Sequence, residues 1–333
     1  MTHPMQATTI VIPNWNGMRW LGSCLAALGR QDTADFHIVV VDNGSTDGSV
    51  AFIRENFPAV EIVELGRNTG FAYAANAGIA RSRALYVALL NADTEVFPDW
   101  LSNLVRRMES APPEIAAISP QLLRMDDSSR IDDAGDKLSW YGAATKRGHG
   151  EAAAAYADER EVFSPCAAAC LYRRAFLQES GGFDARFFAY LEDVDLGLRG
   201  RLMGYRYLYL PAAKALHQGH GAALPQPRYV TLMTRNRLLL FAKNIPARLL
   251  ARHAGRLLYG QLWFLAAYRR PWSSLKGYGL FLAALPHAIA ERRRSRGTAK
   301  ISAEEIDALL TRDAPQPSFL GTINRRIGKS AVS

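Results

Sequence analysis

Between residues 8 and 90, four short apolar runs (8–12, 37–41, 61–65 and 84–90) alternate with three stretches of helical spacing (20–28, 49–57 and 71–83). Short β-branched or apolar runs bounded by Gly, Pro, Asn and Asp read as strands. Strands that alternate with helices of this length predict an α/β fold with a mostly parallel sheet covered on both faces. Ligands of such sheets bind beyond the carboxyl ends of the strands. Asn14, Asp42, Asn43 and Asp93 all fall at such ends, so they are predicted to converge although up to eighty residues separate them.

Size and charge add organisation. A chain of 333 residues with 49% hydrophobic content can bury one large core or two modest ones. The net charge of +9 is uneven: residues 235–300 hold fourteen Lys or Arg and one acid, Glu291, leaving −4 for the rest. The apolar stretches there, 257–268 and 278–290, fall short of the ~20 residues that span a bilayer. Cys24, Cys166 and Cys170 make no disulfide framework and read as small buried residues of a reduced, cytoplasmic protein. No basic segment followed by an apolar one opens the chain, so no signal peptide is read.

Further along, 101–109 reads as a helix, 116–122 as a strand, and the polar, Gly- and Ala-rich 124–160 as a partly mobile insertion or loop. A strand over 167–172, a helix over 174–179 stopped by Gly181-Gly182, a helix over 191–203 and a strand over 205–210 are expected, with a loop from Pro211. The character turns Leu- and Arg-rich from residue 228. The expected division is 1–225 for the sheet domain, 226–310 for a basic helical region and 311–333 for a weakly ordered tail.

Three segments carry chemistry. Asp93 closes the apolar run 85–90, where a carboxylate is held rigidly at a cleft. Hard divalent cations such as Mg²⁺ or Mn²⁺ take one or two such carboxylates together with substrate phosphates; an Asx turn before Thr94 is the competing reading. Glu192 and Asp193 open a helix. Asp193 is the expected general base toward an acceptor hydroxyl, with Glu192 in support, against the reading of acids placed only to favour a helix N-terminus. Asp195 is read as a structural partner of Arg199. His217, in the glycine-flanked Leu216-His217-Gln218-Gly219-His220-Gly221, is a candidate second metal ligand, with His220 competing. The turn after the second run, Asp42-Asn43-Gly44-Ser45-Thr46-Asp47, suits a nucleobase edge or ribose hydroxyls, and Ser45 or Asp47 suits a helix cap. Asn68-Thr69-Gly70-Phe71 precedes the helix of Asn76, whose N-terminus suits a diphosphate. Tyr190 is a candidate to stack on a sugar.

These segments together resemble the family 2 glycosyltransferases, and within them the rhamnosyltransferase-like bacterial members. The matching stretches are Val11-Ile12-Pro13-Asn14-Trp15-Asn16, Val41-Asp42-Asn43-Gly44-Ser45-Thr46-Asp47, Asn68-Thr69-Gly70-Phe71, Leu90-Asn91-Ala92-Asp93, Gly181-Gly182-Phe183-Asp184 and Glu192-Asp193-Val194-Asp195, and the likeness covers roughly 8–225. The resemblance implies a GT-A fold that binds a nucleotide-sugar donor through Pro13, Asn14, Asn16, Asp42, Asn43, Asn68, Gly70 and Asn76. It implies that Asn91-Ala92-Asp93 stands for the DxD motif, with Asn91 a departure at its first position. Asp93 and His217 would then hold Mg²⁺ or Mn²⁺, Asp193 would be the base, and transfer would invert the anomeric carbon.

The implied activity is transfer of L-rhamnose from dTDP-rhamnose, or of another sugar such as a UDP-hexose, to a polyprenyl-linked or polysaccharide acceptor. A nucleotide-sugar-binding protein without turnover is the alternative of another class, for which a base at Asp193 has no use. Nucleotidyl transfer would call for a Gly-rich phosphate loop with a Lys near the N-terminus, and none lies between Ile10 and Leu21. The basic region mixes Arg and Lys with Trp263, Tyr268, Trp272 and Tyr278, and ends in Arg292-Arg293-Arg294. Such helices suit an anionic membrane surface, here the inner face of the cell membrane. An ordinary helical subdomain is the alternative; no nucleic-acid recognition motif accompanies the charge.

Overall fold

The computed structural model describes residues 7–219, 224–296 and 299–311. The first half runs β1 (Thr8–Asn14), α1 (Met18–Leu28), β2 (Phe36–Asp42), α2 (Ser49–Asn56), β3 (Glu61–Glu64), α3 (Phe71–Arg81), β4 (Tyr86–Leu89), β5 (Thr94–Val96) and α4 (Trp100–Glu109). It continues with β6 (Ile115–Arg124), β7 (Ile131–Asp133), β8 (Asp136–Leu138), β9 (Ala144–Lys146), β10 (Arg160–Val162), β11 (Leu171–Arg173), α5 (Arg174–Glu179), α6 (Glu192–Leu202) and β12 (Arg206–His217). The last part is helical: α7 (Gln226–Asn244), α8 (Ala247–Arg252), α9 (Ala254–Tyr268), α10 (Pro271–Arg296) and α11 (Ala303–Thr311).

The main sheet has the order β10-β12-β6-β11-β4-β1-β2-β3. Strands β4, β1, β2 and β3 are mutually parallel, β6 and β12 are parallel, and β11 runs antiparallel between β4 and β6. Side chains alternate across a strand, and both faces are buried here. Ile10, Ile12, Val40 and Ala88 enter one core, while Val11, Val39, Val41, Val87 and Leu89 enter the other. Gly78 lets α3 lie close on that second face: a Cβ there would stand 2.2 Å from Val11 Cγ1.

By contacts the chain divides into two units. One comprises residues 1–136 and 146–223; the other comprises 137–145 and 224–333. The sequence reading left 137–145 with the sheet domain. Within the second unit Trp140 stacks on His253 at 4.0 Å and donates to Asp307 at 2.7 Å, so the short hairpin segment joins the helices by a buried indole. The expected tail, 312–333, lies outside the described residues, as does His220.

Two expectations need correction. The segment 124–160 is no loose loop: it supplies β7, β8 and β9, and Ile131, Asp132, Asp133, Ala134 and Asp136 are buried. Three-residue strands of sequence IDD, DKL and ATK are too short to give a period-2 signal. The strand expected to stop before Pro211 continues to His217, with a register shift between Leu210 and Lys214 that accommodates the proline. His217 is therefore a strand residue, not a loop residue.

Candidate active site

The carboxyl ends of β1 and β2 meet as expected. Asn14 pairs in register with Asp42, and its Nδ2 donates to Asp42 Oδ1 at 3.4 Å and to Ser45 Oγ at 3.2 Å. Asn14 is 1% exposed, and its Oδ1 has no partner. Asp42 Oδ2 accepts from the backbone N–H groups of Gly44 and Ser45. Asn16, at φ 50°, accepts from Thr46 N at 2.8 Å through Oδ1, and Asp47 accepts from Met18 N and Ser49 N, which closes the 42–49 turn. Pro13 is part of β1 opposite Val41.

The side chains of Asn43 and Asn76 bond to the backbone around the expected donor site. Asn43 Oδ1 accepts from Thr69 N and Thr69 Oγ1, both at 2.8 Å, and its Nδ2 donates to Gly70 O at 3.2 Å. Its side chain thus pins the 68–70 loop. Asn68 Oδ1 accepts from Gly70 N at 3.0 Å. Asn76 is a backbone clamp, donating to Phe183 O at 2.7 Å and accepting from Phe183 N at 2.9 Å. Gly70, at φ 89°, is required: a Cβ would lie 2.3 Å from Phe188 O.

That contact leads to the acid pair. Phe188, Tyr190 and Leu191 all sit at positive φ just before Glu192. Left-handed backbone in large side chains costs about 1–3 kcal/mol each and tends to gather at functional segments. The segment presents Asp193 partly exposed, with Oδ1 accepting from Val194 N at 2.8 Å and Oδ2 from Ala167 N at 3.3 Å. Burial raises the Asp193 carboxyl against those two bonds. Glu192 is buried, its Oε2 without a partner, and burial together with Asp193 pushes it up to about 8. Asp195 is fully buried and bound to Arg199 Nε at 2.9 Å, as expected.

Asp93 and His217 come together because β5, which follows Asp93, pairs antiparallel with β12, and Thr94 lies opposite His217. Both side chains are nine-tenths buried, and His217 Nε2 stands 3.5 Å from Asp93 Oδ1. The same region holds Asn91 and Ala92. Asn91 N donates to Ala168 O at 2.8 Å, and a Cβ on Gly17 would sit 3.4 Å from Ala92 Cβ and 2.3 Å from Asn14 Oδ1. Ala167 and Ala168 therefore tie the wall beside Asp93 to Asp193.

The feature absent from the sequence reading is Asp132, on β7. Its Oδ2 lies 2.7 Å from His217 Nδ1, and its two oxygens accept from Lys146 Nζ at 2.9 and 2.7 Å. Burial alone would lower the His217 imidazole; its bond to Asp132 and the Asp93 carboxylate instead push it up to about 9. Asp132 is held well below the usual carboxylate range, against burial, by His217 and Lys146. Asp133 is pushed up to about 7 by burial and Asp132, and Asp136 is raised by burial and by Asp133 and Asp193. The run Asp132-Asp133-Ala134-Gly135-Asp136 was visible as three acids in five residues, but nothing local marked it as buried.

A divalent cation fits the Asp93–His217 pair, because His217 Nε2 is buried, makes no hydrogen bond and faces a carboxylate. Among the described residues no three His, Cys, Asp or Glu side chains form a complete cage. Two protein ligands match a cation held jointly with substrate phosphates.

Comparison with known proteins agrees with this geometry. The chain is 29% identical over 245 residues to the N-acetylglucosaminyl-diphospho-decaprenol L-rhamnosyltransferase of Mycobacterium tuberculosis, covering 64% of this chain and 79% of that protein. It is 31% identical over 235 residues to the uncharacterized protein y4gI of Sinorhizobium fredii, of which it covers only 25%. Among solved structures, GalNAc-T7 with UDP, GalNAc and Mn²⁺ matches at TM-score 0.63 and 16% identity, over 87% of this chain and 55% of that one. The mannosyltransferase PcManGT of Pyrobaculum calidifontis with GDP-Man and Mn²⁺ matches at TM-score 0.50 and 19% identity, over 97% of this chain and 87% of that one. These likenesses show the mixed α/β GT-A fold. The glycosyl transferase family 2 model matches residues 9–181, more than half of the chain, and the protein is a glycosyltransferase of that family.

Proposed function

We propose that the protein is an inverting, metal-dependent enzyme that moves a sugar, L-rhamnose from dTDP-rhamnose, onto a hydroxyl of a polyprenyl-linked acceptor in cell-surface glycan synthesis. The observation that carries this reading is the buried Asp93–His217 pair, with the partly exposed Asp193 carboxylate on the adjoining wall. The choice of sugar and acceptor follows the printed activity of the mycobacterial relative.

Asp93 and His217 would hold Mg²⁺ or Mn²⁺, which when bound offsets the charge gathering on a departing diphosphate. Asp193 takes the proton from the acceptor hydroxyl. The acceptor oxygen then bonds to the anomeric carbon from the face opposite the diphosphate, whose bond to that carbon breaks. Burial favours this role, since a raised carboxyl is a stronger base. Asn14, Asp42 and the loop pinned by Asn43 form the wall at the strand ends where the nucleotide would sit. A panel of nucleotide sugars screened for Mn²⁺-dependent hydrolysis and for protection against unfolding tests the donor. Preference for dTDP-rhamnose is expected; preference for a UDP-hexose would replace the sugar, and no response to any donor would remove the activity.

The helical unit supplies a membrane-facing surface in this reading. Leu258, Leu262, Trp272, Leu275 and Leu282 are more than half exposed on α9 and α10, in a region rich in arginine, and Trp272 is 82% exposed. No helix among the described residues is long and apolar enough to cross a membrane. Exposed apolar side chains beside cations suit the headgroup layer of anionic lipid at the inner face of the membrane. Flotation with liposomes containing anionic lipid is expected, and its absence would leave these helices as an ordinary subdomain.

A further inference from the structure

We propose that Asp132 is a positioning residue for His217: it accepts a hydrogen bond from the Nδ1–H of the imidazole and so turns Nε2 toward Asp93, where a divalent cation would bind. The proposal rests on the reading of Asp93 and His217 as the cation site.

An imidazole can bind a cation through one nitrogen only if the other carries the proton, and a hydrogen bond to that other nitrogen fixes both tautomer and ring orientation. Asp132 Oδ2 is 2.7 Å from Nδ1, while Nε2 is the nitrogen facing Asp93, at 3.5 Å, with no hydrogen bond of its own. A lone ion pair would need only one nitrogen bonded and would not explain a second buried, unbonded nitrogen aimed at another carboxylate.

Asp132 is itself prevented from turning. Lys146 Nζ bonds both of its oxygens, and its backbone carbonyl contacts His149 Nδ1 at 2.8 Å. Its placement is also set by the sheet, because β7 and β12 both pair with β6, β7 at Leu122 and Leu123 and β12 as far as Arg124. The contact spans 85 residues of sequence yet is fixed by strand register. Lys146 has a purpose on this view: bonded to both oxygens, it fixes the orientation of the Asp132 carboxylate toward Nδ1.

The test titrates Mn²⁺, alone and with dTDP, into the full chain and its variants by calorimetry. Asp132→Ala is expected to weaken Mn²⁺ binding ~10–100-fold, the usual cost of losing such a partner. Asp132→Asn, which keeps an acceptor oxygen, should recover part of that loss, and Lys146→Met should fall between. Metal-free unfolding midpoints show which variants are folded, so that a collapsed Asp132→Ala leaves the Asn variant to decide. Electron-spin-echo spectra of bound Mn²⁺ should show nitrogen coupling in the wild type, none in His217→Ala, and a weakened signal in Asp132→Ala. If the wild type binds Mn²⁺ and Asp93→Asn abolishes binding, but both Asp132 variants bind within twofold and keep the nitrogen signal, the positioning role is wrong. If the wild type and Asp93→Asn bind Mn²⁺ alike, the cation site itself is wrong and this role falls with it.

Discussion

The carboxyl ends of β1 to β3 and the short strand β7 both place polar side chains at the cleft, but they hold them by opposite means. At the ends of β1 and β2, Asp42, Asn43 and Asp47 bond to backbone groups of neighbouring turns, and Asn14 bonds to the Ser45 hydroxyl, all within about thirty residues of themselves. On β7, Asp132 bonds to the charged side chains of Lys146 and His217, and Asp133 and Asp136 lie buried close by. The first arrangement shapes a surface for a ligand through bonds to backbone and hydroxyl groups. The second concentrates charge, so that ionisation states there depend on each other. Asp193 stands between them, bonded only to backbone yet raised by burial.

The largest expected effect is at Asp193. Asp193→Asn keeps the shape and can retain the bond from Val194 N through its oxygen, at the cost of the longer contact with Ala167 N. Loss of a general base typically costs ~10²–10⁴ in rate. We expect kcat to fall by that factor, with the dissociation constant of the donor nearly unchanged. If donor affinity falls as steeply as kcat, Asp193 belongs to the surface-shaping group and the contrast drawn above fails at its middle term.

Next comes Asn43, whose three short bonds to Thr69 and Gly70 make it the keystone of the backbone-bonded group. Asn43→Ala leaves the N–H of Thr69 and the carbonyl of Gly70 without their partner, at a cost of about 1–3 kcal/mol for a buried group so stranded. We expect a lower unfolding midpoint and a raised KM for the donor, with kcat changed much less. A pure fall in kcat would mean that the loop serves the reacting atoms and not the nucleotide.

This contrast also explains what could be read from the chain alone. The parallel strands announce themselves because residues 10–12, 39–41 and 87–89 are continuous apolar runs, the signature of strands buried on both faces. Asp42, Asn43 and Asp93 could be singled out because each adjoins such a strand, and Asp193 because it opens a helix. Asp132 could not, because what sets it apart is its contact with a histidine 85 residues later and a lysine across a turn, and neither leaves a local trace. At Asn43 and Asn76 the chain alone leaves the partner open: amides at strand ends and on helices suit ligands and backbone equally, and the fold shows both side chains bonded to backbone. The passage of β12 through Pro211 was hidden for a related reason, since a proline in a strand is tolerated where the register shifts, and sequence does not reveal shifts.

The smallest effect per step of the measurement is the one that probes the charged group by pH. Glu192 ionises near 4.5 in an exposed setting and is pushed up to about 8 in the folded protein by burial and by Asp193. Its protonated form is therefore favoured by folding. The stabilisation it contributes is full below pH ~4.5 and is lost as pH rises toward 8, above which the folded state holds a buried charge. Each pH unit in that window is worth at most about 1.4 kcal/mol for one proton. Glu192→Gln removes the titration but keeps a similar volume. Urea unfolding at intervals from pH 5 to pH 9 should show the variant gaining on the wild type steadily up to about pH 8 and then no further. A constant offset between the two would mean that Glu192 is already ionised at pH 5, and Asp193 would then share its wall with a second negative charge rather than with a neutral acid. In that case the raised basicity of Asp193 would come from charge repulsion more than from burial, and Glu192→Gln would lower the pKa of the base and shift the acid limb of the activity profile downward, which separates the two origins.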